Sequence, residues 1–375
     1  MGHDIYTAIR SMPQQRMSYA DYMRFTLYDE KYGYYMRNRI KIGRFGDFIT
    51  SSHLSNVFGK LFASLFIRLV ETEEIRPCIC ELGGGDGKFA RAVLEEWKET
   101  SLDTYETLTY VIIETSPYQR KKQMETLGGF SEKVVQYKDI SEFQQYVSRF
   151  SGIVFSNEFF DAFPVHVITK ENGQLYELFV ALHHGQLIEE KQPLQNEDIL
   201  CYLRERNISL VDGQRFEVPL AMKSFIMETA SLFESCVMFT VDYGYSDEEW
   251  QLPARRHGSL RGYYQHQLVP NPLAYPGEMD ITAHVQWNAL RMYGERAGWE
   301  WVTTMRQDRF LLAAGILHYL VNHHDVNPFS ERSRQNRAIR SLITDEGMSV
   351  AFQVMVQQKG IKINWENIWI EPNFL

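Results

Sequence analysis

From residue 54 onward the apolar positions fall at Leu54, Val57, Phe58, Leu61, Phe62, Leu65, Phe66, Leu69 and Val70. This is the i, i+3, i+4, i+7 stripe of an amphipathic helix, and Thr50, Ser51 and Ser52 offer its N-cap. The period then changes from helical to alternating. Residues 78–82, CICEL, read as a strand; a glycine-rich turn follows, and Phe89, Val93, Leu94 and Trp97 mark one face of a helix. A second strand, LTYVIIE, ends at Glu114. A third, KVVQYKD, ends at Asp139, and a fourth apolar run starts after Gly152. Strands alternating with helices at this rhythm predict βαβ units on a parallel sheet.

Upstream, Ser18 and Asp21 make a capping-box pattern ahead of Met23 and Leu27, so a helix is expected there. The Gly- and Tyr-rich stretch KYGYYMRNRIKIGRFGDF then reads as loop. Between 166 and 230 the rhythm breaks. Strand-like pieces (VHVITK, LYELFVALH) and Gly/Asn turns predict an inserted β-rich unit, followed by a helix near 220–233. The run SCVMFTVDYGY resumes the sheet as a fifth strand ending at Asp242. Residues 246–279 read as a long loop rich in Pro, Gly, Tyr and His, and loops of that length are usually functional or disordered. Helices are expected at about 281–298 and 308–322, with WEWVTT and FQVMVQQ as terminal strands. The expected division is an N-terminal helical and loop segment (1–52), a first half of the core (53–165), the insertion (166–230) and a second half (231–375).

The 375 residues are enough for one large core with an attached smaller unit, and 44 % apolar and 23 % charged residues are ordinary for a globular chain. Thirty-nine basic against 48 acidic residues give a net charge of −9, which disfavours general nucleic-acid binding. No apolar run approaches the ~18 residues of a membrane span. The N-terminus lacks the apolar block of a secretion signal and the Arg/Ser-rich look of a transit peptide, so the chain is expected to begin where its structure begins. Cys78 and Cys80 resemble half a metal clip, but they sit in a strand pattern with no second pair at useful spacing. Structural thiols, no metal and a cytoplasmic location are expected. His183-His184 and His323-His324 read as solvated surface pairs.

The glycine turn, ELGGGDG, places Glu81, Gly83, Gly85 and Gly87 between a strand and a helix. Glycines there let the backbone turn tightly and let a ligand approach. The dinucleotide fingerprint fails, because Lys88 stands where its third glycine should be, and the phosphate loop fails because Phe89 follows Lys88. What remains, E-x-G-x-G-x-G, is the pattern of nucleotide-fold methyltransferases that bind S-adenosyl-L-methionine. Glu114 at the second strand end can accept hydrogen bonds from both ribose hydroxyls, and Asp139 at the third can receive the adenine amino group. The fourth strand ends in GIVFSNEFFDAFP, which crowds Asn157, Glu158 and Asp161 around Phe159 and Phe160. A local reading makes Asn157 and Asp161 caps of a turn and the phenylalanines core.

Over nearly its whole length the chain resembles the MidA-type methyltransferases, a family that includes a mitochondrial complex I assembly factor methylating a protein arginine. The likeness is carried by SYADYMRFTLYDEKYGYY, GDFITSS, ELGGGDG, VIIETSPYQR, SNEFFDAFPVHV, GQRFEV, VDYGY, GSLRGYYQH, NPLAYPGEMDITAHVQW, QDRFLLAAGI and FQVMVQQKG. It implies a class I methyltransferase Rossmann-like α/β fold with a mostly parallel seven-stranded sheet, S-adenosyl-L-methionine as cofactor and a protein substrate. For a guanidinium acceptor, carboxylates pair with the planar fork and orient one nitrogen, which gives Glu158 and Asp161 a role, with Asn157 positioning the acceptor or the methionine moiety. In the 258–287 segment Tyr263, His266, Asp280 and His284 are the candidate acceptor-side residues; Asp280 and His284 would share a helical face, with Asp280 as N-cap the alternative. Two departures stand out: His53 replaces an acid of the family pattern, and the glycine loop carries Gly84 and Asp86 where Pro and Arg are common. A methyltransferase of small molecules or RNA, and a non-catalytic assembly factor keeping the fold, are the rival readings.

Overall fold

The computed structural model describes residues 4–39, 41, 56–323, 327, 329–344 and 351–374. Seven strands form the central sheet: β1 (Cys78–Leu82), β2 (Thr109–Ile113), β3 (Val134–Tyr137), β4 (Phe150–Asn157), β5 (Phe233–Tyr245), β6 (Glu300–Arg306) and β7 (Phe352–Lys359). Their spatial order is β3-β2-β1-β4-β5-β7-β6, and the two-residue strand Val285–Gln286 pairs parallel to the end of β5. β1 to β5 are mutually parallel, while β7 runs antiparallel to both β5 and β6. The strand order reverses between β1 and β4. In an open α/β sheet that reversal leaves a crevice at the carboxyl edge.

Both faces of the sheet are covered, which is why its strands are apolar at odd and even positions alike. Ile79, Ile153, Phe155, Val237 and Phe239 point to one face, and Cys80, Val154 and Met238 to the other. The helix Asn56–Glu73 supplies the hub of the first face. Phe62 is fully buried there, with the rings of Phe58, Phe66, Phe89, Phe155, Phe239 and Phe310 at centroid distances of 4.9 to 6.1 Å.

A second sheet combines His166–Glu171, Gln174–His183, Gln186–Pro193 and Arg215–Val218 with the N-terminal strand Arg16–Ser18. Arg16–Ser18 lies antiparallel to Phe179–Ala181. Tyr19, Tyr22, Met23 and Leu27 of the following helix pack on Val165, Val167, Leu178 and Val180. The N-terminal segment and the insertion therefore share one hydrophobic core.

Several expectations are corrected. Residues 281–286 are not helical: Asp280–Thr282 pairs with Arg261–Tyr264 and Val285–Gln286 with β5, so the helix starts only at Trp287 and runs to Arg296. Pairing to two existing edges outweighs the local periodicity there. The helix expected at 308–322 ends at Ala313, because Gly315 adopts a left-handed φ of 95° and a 3-10 turn, Ile316–Tyr319, follows. The helix expected at 220–233 spans Leu220–Glu228. β5 continues past Asp242 to Tyr245. Residues 246–279 hold the helix Asp247–Trp250 and a hairpin, Arg261–Tyr264 with Gln267–Val269. The N-cap residues offered at 50–52, the boundary at 52/53, His53 and His324 lie outside the described residues.

Phe62→Ala should lower the unfolding free energy by about 3–5 kcal/mol through loss of buried area and the cavity left behind. Urea titration followed by circular dichroism measures it.

Candidate active site

The glycine loop after β1 and the NEFF turn after β4 flank the crevice at the strand-order reversal. Gly83 and Gly87 have φ of 74° and 83°, a region that a side chain would strain. An added Cβ on Gly83 would stand 3.0 Å from the Phe159 ring, so the loop and the turn touch across the crevice. Between them lies a cavity of about 360 Å³.

The sheet's carboxyl edge sets the polar groups of this cavity. Glu114 follows β2 and accepts the amide N–H groups of Gly85 (3.1 Å) and Ser116 (2.8 Å), which ties β2 to the glycine loop. Burial raises its carboxyl to about 7, against the pull of these two donors, Arg120 and Lys41. Glu81 is buried and accepts the Tyr110 hydroxyl at 2.9 Å; burial pushes it up to about 8. Asp139 lines the far end and caps the helix Ile140–Tyr146 through the Glu142 amide at 2.7 Å. Of the proposed cofactor residues, Glu81, Gly83, Gly85, Glu114 and Asp139 line the cavity, while Gly87 turns the chain into the helix behind it.

The NEFF turn is held from below by a residue the sequence reading used only as a strand end. Asp242 of β5 is completely buried, and its Oδ2 accepts the amide N–H groups of Phe159 (3.3 Å), Phe160 (3.1 Å) and Asp161 (3.3 Å). Its Oδ1 takes the Tyr243 amide at 2.9 Å. This anchorage lets Glu158 sit at a left-handed φ of 52° with its side chain at the cavity. Asn157 also lines the cavity and donates Nδ2–H to Glu158 Oε1 at 3.1 Å. Asp161 lies behind the wall, buried, with the Tyr243 hydroxyl on its Oδ2 and, among the described residues, no hydrogen-bond partner on its Oδ1. Burial raises Glu158 well above the carboxylate range, and the neighbouring Asp161 adds to it. Asp161 is pushed up to about 6 by burial, against the Tyr243 hydrogen bond.

The aromatic residues need correction. Phe160 is core, as expected, but Phe159 and Phe163 line the cavity together with Phe225 from the insertion. Tyr28 and Tyr35, from the N-terminal segment, complete the opposite wall. The Tyr28 hydroxyl donates to the Ala162 carbonyl at 3.0 Å and the Tyr35 hydroxyl to Asp280 Oδ1 at 2.6 Å. Asp280 thus acts one layer back, from a strand rather than a helix cap. Tyr263 is half-buried beside it and outside the lining. His266 occupies the exposed hairpin turn at a φ of 62°. His284 is stacked on Tyr245 at 4.4 Å and receives Arg261 Nη2 at 3.0 Å; burial and the two arginines Arg261 and Arg255 lower it to about 3, so the ring is neutral. Neither histidine reaches the cavity. Tyr28, Tyr35, Asp242 and Tyr243 escaped sequence reasoning because their roles depend on long-range contacts; their presence in the YDEKYGYY and VDYGY blocks was the available signal.

A family profile described as S-adenosyl-L-methionine-dependent methyltransferase matches residues 60–305. The chain belongs to this methyltransferase family. A crystal structure from Burkholderia thailandensis with S-adenosyl-homocysteine bound superposes with a TM-score of 0.83 at 28 % identity, covering 93 % of this chain and 89 % of that one. A native structure from the same organism gives 0.79 at 26 % identity, covering 94 % and 90 %. Among curated relatives, the mitochondrial protein arginine methyltransferase NDUFAF7 of Danio rerio is 26 % identical over 369 residues, 90 % of this chain and 82 % of that protein. The Drosophila melanogaster homologue is 25 % identical over 311 residues, 74 % of this chain. The chain spans 67 % of the length of that fly relative and 66 % of the Xenopus laevis one. The methyltransferase has the class I Rossmann-like fold, and S-adenosylmethionine is its cofactor. The expected cytoplasmic location does not stand, because these curated relatives carry mitochondrial names.

Two outcomes follow from the geometry. Asp242→Ala leaves three buried amides of the NEFF turn without an acceptor and should cost about 3 kcal/mol or more in urea titration, with weaker S-adenosylhomocysteine binding by calorimetry. Glu81 has its carboxyl raised from 4.5 to about 8 by folding, so the stability of the wild type relative to Glu81→Gln should fall as pH rises across that interval. Thermal melts of both proteins between pH 4 and 9 check the sign.

Proposed function

We propose that this methyltransferase modifies arginine side chains of a protein substrate. The observation that carries the reading is the pair of buried carboxylates at the end of β4. Among the described residues neither Glu158 nor Asp161 forms an ion pair, and Asp161 Oδ1 has no hydrogen-bond partner. Unpaired negative charge in a desolvated pocket is costly, and a planar cation relieves it. The curated relatives named as protein arginine methyltransferases support the same acceptor.

In this reading the glycine loop cradles the cofactor's methionine and adenosine, Glu114 accepts its ribose hydroxyls, and Asp139 faces the adenine. The cofactor supplies an electrophilic methyl group on a sulfonium. The chain's task is then to aim and deprotonate the acceptor. Glu158 accepts the guanidinium N–H groups at the cavity, Asn157 fixes Glu158 through Oε1, and Asp161 adds negative potential from behind. Entry of the cation makes the ionised form of Glu158 favourable, and the raised affinity of that carboxylate for protons makes it a competent acceptor for the one the alkylated nitrogen sheds. Phe159 and Phe163 exclude water from this corner. The N-terminal segment and the insertion complete the acceptor side with Tyr28, Tyr35 and Phe225.

Incubating the purified enzyme and methyl-labelled S-adenosylmethionine with lysate from cells lacking it should label a protein band that yields methylarginine on hydrolysis. Label confined to small molecules or RNA would overturn the reading. Glu158→Gln should lower kcat by about 10²-fold or more while leaving the cofactor KM within a few fold. Asp161→Asn, acting through charge alone, should lower kcat by roughly tenfold.

A further inference from the structure

The helix that follows β2, Pro117–Thr126, buries two residues, Gln119 and Gln123, and neither is apolar. They stand four positions apart, so their side chains leave the same side of the helix. Glutamine is mostly an exposed residue, and a buried amide ordinarily has hydrogen-bond partners. Gln123 follows that rule. It is 0 % exposed, its Nε2 donates to the Gly85 carbonyl at 2.8 Å, and its Oε1 accepts Nε2–H of Gln136, a β3 residue, at 2.6 Å. Gln119 does not. It is 5 % exposed and lines the cavity, and among the described residues its side-chain amide has no hydrogen-bond partner. Its backbone N–H alone is engaged, by Ser116 Oγ at 3.3 Å.

We propose that Gln119 is a cofactor-binding residue, whose side-chain N–H donates to a ribose hydroxyl oxygen of S-adenosylmethionine. The inference deepens the cofactor reading above and rests on the ribose role given there to Glu114. The first support is placement. Gln119 is tied to Glu114 through Ser116, whose amide lies 2.8 Å from Glu114 Oε1. One turn further along the helix, Gln123 holds the Gly85 carbonyl, and the Gly85 amide lies 3.1 Å from Glu114 Oε2. The helix face that carries Gln119 is thus fixed both to Glu114 and to the glycine loop. The second support is chemical. A carboxylate only accepts hydrogen bonds, so Glu114 can take the O–H protons of a vicinal diol but leaves the hydroxyl oxygens without donors. A primary amide supplies the missing donor. An amide kept from water without a partner is unfavourable in the fold, and a ligand that pairs with it offsets that cost on binding.

The test is calorimetric titration of the wild type, Gln119→Met, Gln119→Ala and Glu114→Gln with S-adenosylhomocysteine and with its 2′-deoxy and 3′-deoxy analogues. Gln119→Met keeps the length of the side chain and removes its hydrogen bonds; Gln119→Ala repeats the deletion without new bulk. Both should bind S-adenosylhomocysteine about fivefold more weakly than the wild type, the loss of one hydrogen bond. Toward one of the two deoxy analogues, the one lacking the hydroxyl that Gln119 meets, both should bind as the wild type does. Wild-type affinity of both variants for S-adenosylhomocysteine overturns the proposal. So does a loss of equal size toward all three ligands, which is what a purely structural glutamine would give. Glu114→Gln separates the two claims. If it distinguishes the deoxy analogues less sharply than the wild type, the ribose role of Glu114 stands whatever Gln119 does. If it binds all three ligands as the wild type does, that role falls and the Gln119 proposal falls with it.

Discussion

The Asp242 carboxylate receives the amide N–H groups of three successive residues in the turn of the adjacent strand, and the geometry of the sheet's carboxyl edge depends on that contact. A turn leaving a buried strand exposes several backbone donors at once, and in a dry environment each needs an acceptor. One carboxylate oxygen meets three of them. The strained backbone at Glu158 is held because its neighbours are fixed in this way, and the side chain it aims lines the cavity beside Asn157 and Phe159. Stability and reactivity are thus joined at a residue that never touches the cavity itself.

The site as a whole concentrates one sign of charge in a desolvated place. Burial raises the proton affinity of Glu158, Asp161 and Asp242; Asp161 adds to it at Glu158, and Asp161 and Glu158 add to it at Asp242. Arg261 is directed to His284 and Arg120 to backbone carbonyls. Such a cluster is stable enough to fold because its members can hold protons. The Glu114 side of the cavity is arranged on the opposite principle, with backbone amide donors on both carboxylate oxygens.

Local pattern made most of the core legible. The Phe62 helix, the strands ending near Glu114 and Asp139, and the glycine loop are written in short-range periodicity, and so is the βαβ rhythm that places the crevice. The residues 281–286 were misread because their apolar spacing suits a helix, and only the edges offered by Arg261–Tyr264 and β5 make them strands. The acceptor wall was legible only in part. Asn157 and Glu158 could be placed from the end of β4, but nothing local shows that Tyr35 reaches Asp280 or that Asp161 sits behind the cavity wall. His266 and His284 attracted attention by residue type, and solvent exposure in one case and ring stacking in the other assign them to different places. Phe159 and Phe163 looked like ordinary core, since an aromatic lining and a packed interior have the same composition.

The pairing of Arg16–Ser18 with Phe179–Ala181 has a consequence for synthesis of the chain. Strand partners separated by that much sequence cannot meet until the insertion has left the ribosome, and closing so long a loop is slow. Tyr28, Tyr35 and Lys41 line the cavity and follow the N-terminal strand, so the cavity stays open on one side during most of translation. A nascent chain would bury the helix around Phe62 against β1 and β2 well before it could hold a nucleoside. Cofactor retention would then report that both ends of this long connection have come together, which makes it a late checkpoint of assembly as well as a requirement for catalysis.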